Sequence, residues 1–287
     1  MSKTPLEPSG AFLPPHVYFL ISAVFHYLGP AFAVLLFARV DVLGVAWLRI
    51  ASAATVFAIW RQPWRYFLQA STAQRWLLLG LGLVLALMNC CFYLAIDRLP
   101  LATVGAIEYL ASIILAAIGV RTWRNLIALG LAIGGVGLLT NLRLEVEPIG
   151  LALACANGGL FMFYIILGHR IARDGGQAGI DRLGASMLIA LIVVMPFGFK
   201  DALPTLTHPL LLMAGIGVGI CSSVIPYICD QLAMARLPRA TFALLLSLLP
   251  ASAALIGFLV LGQIPSTTEL FGIVLVIIGV AIHQQKS

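Results

Sequence analysis

One carboxylic acid, Glu108, stands about two turns inside the apolar run 101–120 and is the sole charged residue in it. An acid at the centre of a membrane-spanning helix costs about 2.5–3.5 kcal/mol on insertion scales, so it must face the protein interior or a wet cavity and find a partner there. Such a group can bind an ammonium, carry a proton, or hydrogen-bond a neighbouring helix. Other polar and aromatic residues recur at helical spacing nearby. Asn89 and Tyr93 lie four apart, Asn157, Phe161 and Tyr164 share a face, and Ser223, Tyr227 and Asp230 flank Pro226. Aromatic walls carrying a few polar groups suit an amphipathic solute; taken singly, each polar group reads slightly more as an interhelical hydrogen bond than as a ligand contact. Asp230 sits near the end of its apolar run, where a carboxylate is expected to be solvated.

His26 can titrate, bind a carboxylate, or donate to a backbone carbonyl. Pro30, four residues on, deprives the His26 carbonyl of its usual helical donor. Pro30, Pro226 and Pro250 are the hinge candidates. Arg49, about two turns into its own run, can satisfy carbonyls, snorkel outward, or gate. No catalytic constellation accompanies these groups. His16, His26, His169, His208 and His283 are scattered, and neither HExxH nor GxSxG occurs. Gly215, Gly217 and Gly219 are followed by no Lys-Ser/Thr, so they form no phosphate loop. Cys90, Cys91, Cys155, Cys221 and Cys229 all lie in apolar stretches without a CxxC pair and read as small hydrophobes. The expectation is a protein without catalytic residues, metal or cofactor. The paired carboxylates, Ser/His arrangement or His-rich spacing that an intramembrane enzyme needs are missing, as are the rings of repeated polar residues that a channel uses.

The elements that must position these groups are transmembrane helices. Of the 287 residues only 10% are charged, against about 25% in soluble domains, which excludes a water-facing fold. A net charge of +6 spread along such a chain forms no nucleic-acid patch. Apolar runs place ten spans at 16–37, 43–60, 75–96, 101–120, 125–140, 149–168, 181–197, 209–232, 239–261 and 267–283. Short connections make consecutive spans neighbours. The Pro-rich first fifteen residues lack a basic n-region, so a retained tail is expected rather than a cleaved signal. With ten spans both termini share one side. That side receives twelve of the seventeen Lys and Arg, and the other receives Arg39, Arg98, Arg143 and Lys200. Both termini are therefore expected in the cytoplasm. Gly130, Gly134 and Gly137, with Gly272 and Gly279, are expected to let helices pack closely.

A duplication organises the chain. Leu94 to Thr103 and Leu232 to Thr241 share the pattern LAxxRLPxAT at a displacement of 138 residues, and Gly134 and Gly272 keep it. That displacement spans five helices, an odd number, so the copies enter the membrane from opposite sides. The expected fold is an all-α polytopic membrane protein of ten helices in two inverted five-helix repeats, 1–140 and 141–287. Inverted repeats of this kind hold a solute near the midplane and operate by alternating access.

The chain resembles the EamA-type members of the drug/metabolite transporter superfamily, within it the bacterial threonine/homoserine and aromatic amino-acid exporters. The resemblance covers essentially the whole chain. It rests on Met88-Asn89, on Phe92-Tyr93-Leu94-Ala95 leading into Leu99-Pro100, and on Glu108. In the second half it rests on Pro226-Tyr227, Leu237-Pro238 and Thr241-Phe242 leading into Ser247 and Pro250-Ala251. It implies a central cavity built from the first, third, fourth, sixth, eighth and ninth spans, hence substrate contacts from His26, Asn89, Tyr93, Glu108, Asn157, Phe161, Tyr164, Tyr227 and Ser247, with Glu108 as the candidate coupling site. It further implies export of amino acids or related small metabolites across a bacterial inner membrane, with a small-molecule substrate and the lipid bilayer as partners; efflux of drugs or other metabolites is the alternative. The number of subunits is left open. Two positions depart from the family pattern. Leu249 stands where such exporters often carry Glu, which removes a symmetric acidic pair, and Leu261-Gly262-Gln263 replaces Leu-Gly-Glu.

Overall fold

Apolar runs punctuated by proline, glycine and charge become helices throughout the computed structural model, which describes residues 13–119, 122–140, 147–237, 242 and 248–282. The helices are α1 (Pro15–Leu36), α2 (Val42–Arg61), α3 (Trp64–Gln69), α4 (Thr72–Ile96), α5 (Leu101–Gly119), α6 (Trp123–Thr140), α7 (Pro148–Ala172), α8 (Gly176–Leu206), α9 (Pro209–Gly219), α10 (Ile225–Met234), α11 (Leu248–Leu261) and α12 (Thr267–Ile282). Proline opens α1, α7 and α9, where its missing N–H costs nothing. Gln62, in the left-handed region at φ 48°, ends α2. At the start of α4 the Ser71 hydroxyl accepts from the Gln74 N–H while the Gln74 side chain accepts from the Ser71 N–H.

Among the described residues six helical segments are long and apolar enough to cross a membrane: α1, α2, α4, α7, α8 and the continuous stretch Pro209–Met234. Large apolar side chains cover their outer faces, as with Leu20, Val24, Phe32 and Leu35 on α1, while Ser22, His26 and Tyr27 of the same helix are buried. Polar groups inside and hydrocarbon outside is the arrangement lipid demands. The chain is an all-helical, multi-pass membrane protein.

The expected spans and helix packing need adjusting in four places. The short helix α3 was not anticipated; Arg182 of α8 holds it by donating to the Tyr66 hydroxyl at 2.8 Å, and beside it Arg61 pairs with Asp181 at 2.5 Å. The seventh span, expected to stop at 197, continues through Lys200, Asp201 and Pro204 to Leu206. The eighth is interrupted by a π turn, Ile220–Val224, immediately before Pro226. At Gly135 of α6 an added Cβ would meet the Gly272 backbone of α12, whereas at Gly130, Gly134 and Gly137 it would meet nothing within 4 Å among the described residues. Those three lie on another face of the helix, and only the neighbouring helix decides which face is inside. The expected start of the ninth span, the Leu237-Pro238 turn beyond Leu237, and His283 lie outside the described residues.

Helix neighbours are α6 with α12, α2 with α8, α4 with α7 and α8, α1 with α9, α10 and α11, α5 with α6, α7 and α11, and α2 with α9. At the centre the inward faces of α1, α2, α4, α5, α7 and α10 meet.

Candidate functional site

Glu108 lies within that central group and is 2% exposed. Both of its carboxylate oxygens are engaged from other helices. The Tyr27 hydroxyl of α1 donates to Oε2 at 3.1 Å, and Asn157 Nδ2 of α7 donates to Oε1 at 3.2 Å. His26 Nε2 stands 3.7 Å from Oε2. Two other helices, α1 and α7, thus converge on this carboxylate of α5.

The helical repeat carries the arrangement about one turn along α1 and about two turns along α7. Ser22, four residues before His26, donates to Asp230 Oδ1 at 2.5 Å, and Tyr164, seven residues after Asn157, donates to Oδ2 at 2.9 Å. Asp230 is therefore buried, at 6% exposure, and not solvated as its place near the end of an apolar run implied. Two hydroxyl donors reach it because α1 and α7 both face α10. Phe161 fills the gap between the two layers, with its ring 5.8 Å from that of His26 and 5.9 Å from that of Tyr164, which in turn lies 5.3 Å from the Tyr227 ring.

Opposite these acids stands Arg49 of α2, 3% exposed. Its Nε donates to the Ser223 hydroxyl at 2.8 Å, and its Nη2 to the Ser222 carbonyl at 2.7 Å and the Tyr227 hydroxyl at 3.5 Å. Its guanidinium lies 5.3 Å from the centre of the Tyr93 ring, which gives a cation–π contact. Pro226 explains the carbonyl: it has no N–H to offer Ser222 four residues earlier, so the arginine supplies the donor. Gly29 lets α1 approach this turn, since a Cβ there would collide with the Ser222 backbone.

Between the two sides His26, Arg49, Met88, Asn89, Phe92, Glu108, Asn157 and Tyr227 line a narrow cavity of about 10 Å³, room for about one water. The side chain of Asn89 donates to its own helix at the Leu85 carbonyl, at 2.6 Å. Of the residues singled out in the sequence, His26, Asn89, Glu108, Asn157 and Tyr227 come together on this cavity. Tyr93 supports Arg49, Phe161 and Tyr164 form the wall behind, and Ser247 lies outside the described residues. Pro30 and Pro226 are buried within α1 and α10, and Pro250 is buried in the first turn of α11. Sequence reasoning passed over Tyr27 and Ser22, which carry no periodic signal beyond that of any inward face. It left Arg49 off the list of binding residues, although an arginine two turns inside an apolar run was a signal of the same kind as Glu108. No cluster of metal-ligating side chains occurs among the described residues.

Comparison with known proteins agrees with this architecture. The sequence profile of the EamA-like transporter family matches residues 148–283. The threonine/homoserine exporter RhtA of Salmonella typhimurium (strain LT2) is 34% identical over 238 residues, which is 82% of this chain and 79% of that protein. RhtA of Escherichia coli (strain K12) is 31% identical over 262 residues, 90% of this chain and 87% of that protein. A protein of known crystal structure superposes with a TM-score of 0.59 at 19% identity, over 93% of this chain and 96% of that one, a likeness of fold.

Proposed function

The chain belongs to the EamA-like transporter family, and on that premise we propose that it is a secondary transporter exporting threonine, homoserine or amino acids of similar size across a bacterial inner membrane. The observation that carries the reading is the carboxylate of Glu108, buried on a central cavity and held by side chains from two other helices. Structural hydrogen bonding alone does not need an acid there. A substrate ammonium or a transported proton does, and in this reading Glu108 binds the one or exchanges it for the other. The homologues are exporters in a transporter family and not enzymes. The polar lining of the cavity favours a polar solute over a lipophilic drug.

In this reading ten spans form two inverted repeats, 1–140 and 141–287, with both termini in the cytoplasm, and alternating access moves the solute past the cavity. Helix adjacency supports it. When each of the first five spans is exchanged with its counterpart five spans later, α4 against α7 becomes α10 against α1, α4 against α8 becomes α9 against α2, and α5 against α7 becomes α11 against α1; each of these pairs is in contact. The pairs α2 with α8 and α6 with α12 map onto themselves. His26, Asn89, Asn157, Phe161, Tyr164 and Tyr227 are the proposed substrate contacts with Glu108, Tyr93 standing behind them, and Pro30, Pro226 and Pro250 the proposed flexing points.

The test is uptake of radiolabelled threonine and homoserine into proteoliposomes, with and without an imposed pH gradient. Saturable uptake competed by unlabelled substrate is expected, falling at least tenfold in E108Q. Full uptake and an unchanged pH response in E108Q would assign Glu108 a structural role. No uptake of any amino acid by folded protein would overturn the substrate class.

A further inference from the structure

We propose that Arg49 and Glu108 are the two poles of a zwitterion site, Arg49 receiving the substrate's α-carboxylate and Glu108, with Asn157, its ammonium. This rests on the amino-acid reading above and names the groups that make it specific. A guanidinium remains charged at any physiological pH, and a buried charge is costly unless paired. Arg49 is buried, yet among the described residues no carboxylate lies within 4.0 Å of it; its partners are two hydroxyls, one carbonyl and an aromatic face. Those partners orient the cation without neutralising it. Glu108 is a carboxyl group held by a neutral amide and a phenol, with His26 Nε2 at 3.7 Å from Oε2 and no lysine or arginine within 4.0 Å among the described residues. Both charges line the same cavity, together with Asn89 and Tyr227. At the anionic pole Asn157 Oδ1 is buried and has no hydrogen-bond partner among the described residues, so a further acceptor is available to an ammonium.

Each pole lacks what the other end of an amino acid provides. A carboxylate meets a guanidinium through two parallel charge-assisted hydrogen bonds, and an ammonium offers three donors to the Glu108 and Asn157 oxygens. A site with buried polar groups for both ends also rejects analogues lacking either, because the unmatched group is left desolvated. A compound with one charged end would therefore leave one pole bare. The fixed direction from Arg49 to Glu108 sets which way the backbone of the amino acid lies, and leaves the side chain to the aromatic wall.

The experiment is competition against radiolabelled threonine binding to the purified protein by threonine, threoninamide and N-acetylthreonine, followed by the same series in R49Q, R49K and E108Q. For the native protein the amide and the acetylated compound are expected to compete at least tenfold more weakly than threonine. In R49Q the preference for threonine over threoninamide is lost, R49K retains part of it, and E108Q loses the preference over N-acetylthreonine. Competition by threoninamide within twofold of threonine in the native protein overturns the carboxylate pole without requiring any variant, so a misfolded R49Q leaves the test intact. A preserved acid-over-amide preference in folded R49Q overturns the assignment of that pole to Arg49. A native protein that binds no amino acid overturns the proposed substrate class, and this site with it; binding with no discrimination overturns the site alone.

Discussion

Asp230 and Glu108 are both carboxylates inside a hydrocarbon-facing protein, and what keeps each there is a pair of neutral donors from α1 and α7. Hydrogen bonds to a charged group contribute about 1.5–3 kcal/mol each. Tyr164→Phe keeps the ring against Phe161 and Tyr227 and removes the donor to Asp230 Oδ2. A loss of roughly 1.5–3 kcal/mol is expected, read as reduced thermal stability in detergent, with Ser22→Ala giving a loss of similar size through Oδ1. A Tyr164→Phe protein as stable as the native one would mean that Asp230 is protonated and needs fewer donors. Glu108 was legible in the sequence because a lone acid in an apolar run is conspicuous. Asp230 was misjudged for the same reason: position along the run was read as depth, while the direction in which the residue points decides its burial.

At the level of elements, the π turn before Pro226 is where chain chemistry becomes site geometry. Proline leaves the Ser222 carbonyl without its helical donor, and Arg49 takes that acceptor. Pro226→Ala restores a backbone N–H that competes for the carbonyl. The protein is expected to fold, with the half-saturation concentration for threonine raised several-fold; an unchanged value would show that Arg49 is held well enough by Ser223 and Tyr227. Gly29 is the counterpart on α1. Gly29→Val would drive side-chain atoms into the Ser222 backbone, and overpacking of this kind costs about 1–3 kcal/mol. Lower thermal stability together with weaker threonine binding is the expected result, and native behaviour would show that α1 can shift freely. The proline was evident from sequence, but neither the π turn nor the helix that uses its freed carbonyl was. Both depend on how α1 and α2 pack against it.

For the whole molecule, the proposed ten-span inverted repeat is the reading that would relate the helix neighbours to the duplicated LAxxRLPxAT pattern. The proposed orientation makes a direct prediction. In a protein lacking its native cysteines, Ser71→Cys at the start of α4 is expected to react with a membrane-impermeant maleimide only from the cytoplasmic side, and Thr207→Cys after α8 only from outside. Labelling of both from one face would contradict an odd number of crossings between them. Labelling with the sides reversed would overturn the charge-based orientation.

The sequence by itself determined the membrane class and the positions of most helices, pointed to the family through its motifs, and singled out His26, Asn89, Glu108, Asn157 and Tyr227 of the central cluster. The class, the helices and the lone acid follow from composition or spacing along the chain, since hydrophobic runs and lone charges are local properties, and the family follows from the resemblance of its motifs. Only the tertiary structure decided that Asp230 is buried, that Gly135 and not Gly134 meets α12, that Tyr27 and Ser22 serve the two acids, and that Arg49 and Glu108 share one cavity. A helix presents every direction in turn, and which of its faces becomes interior is settled only by the helices that pack around it.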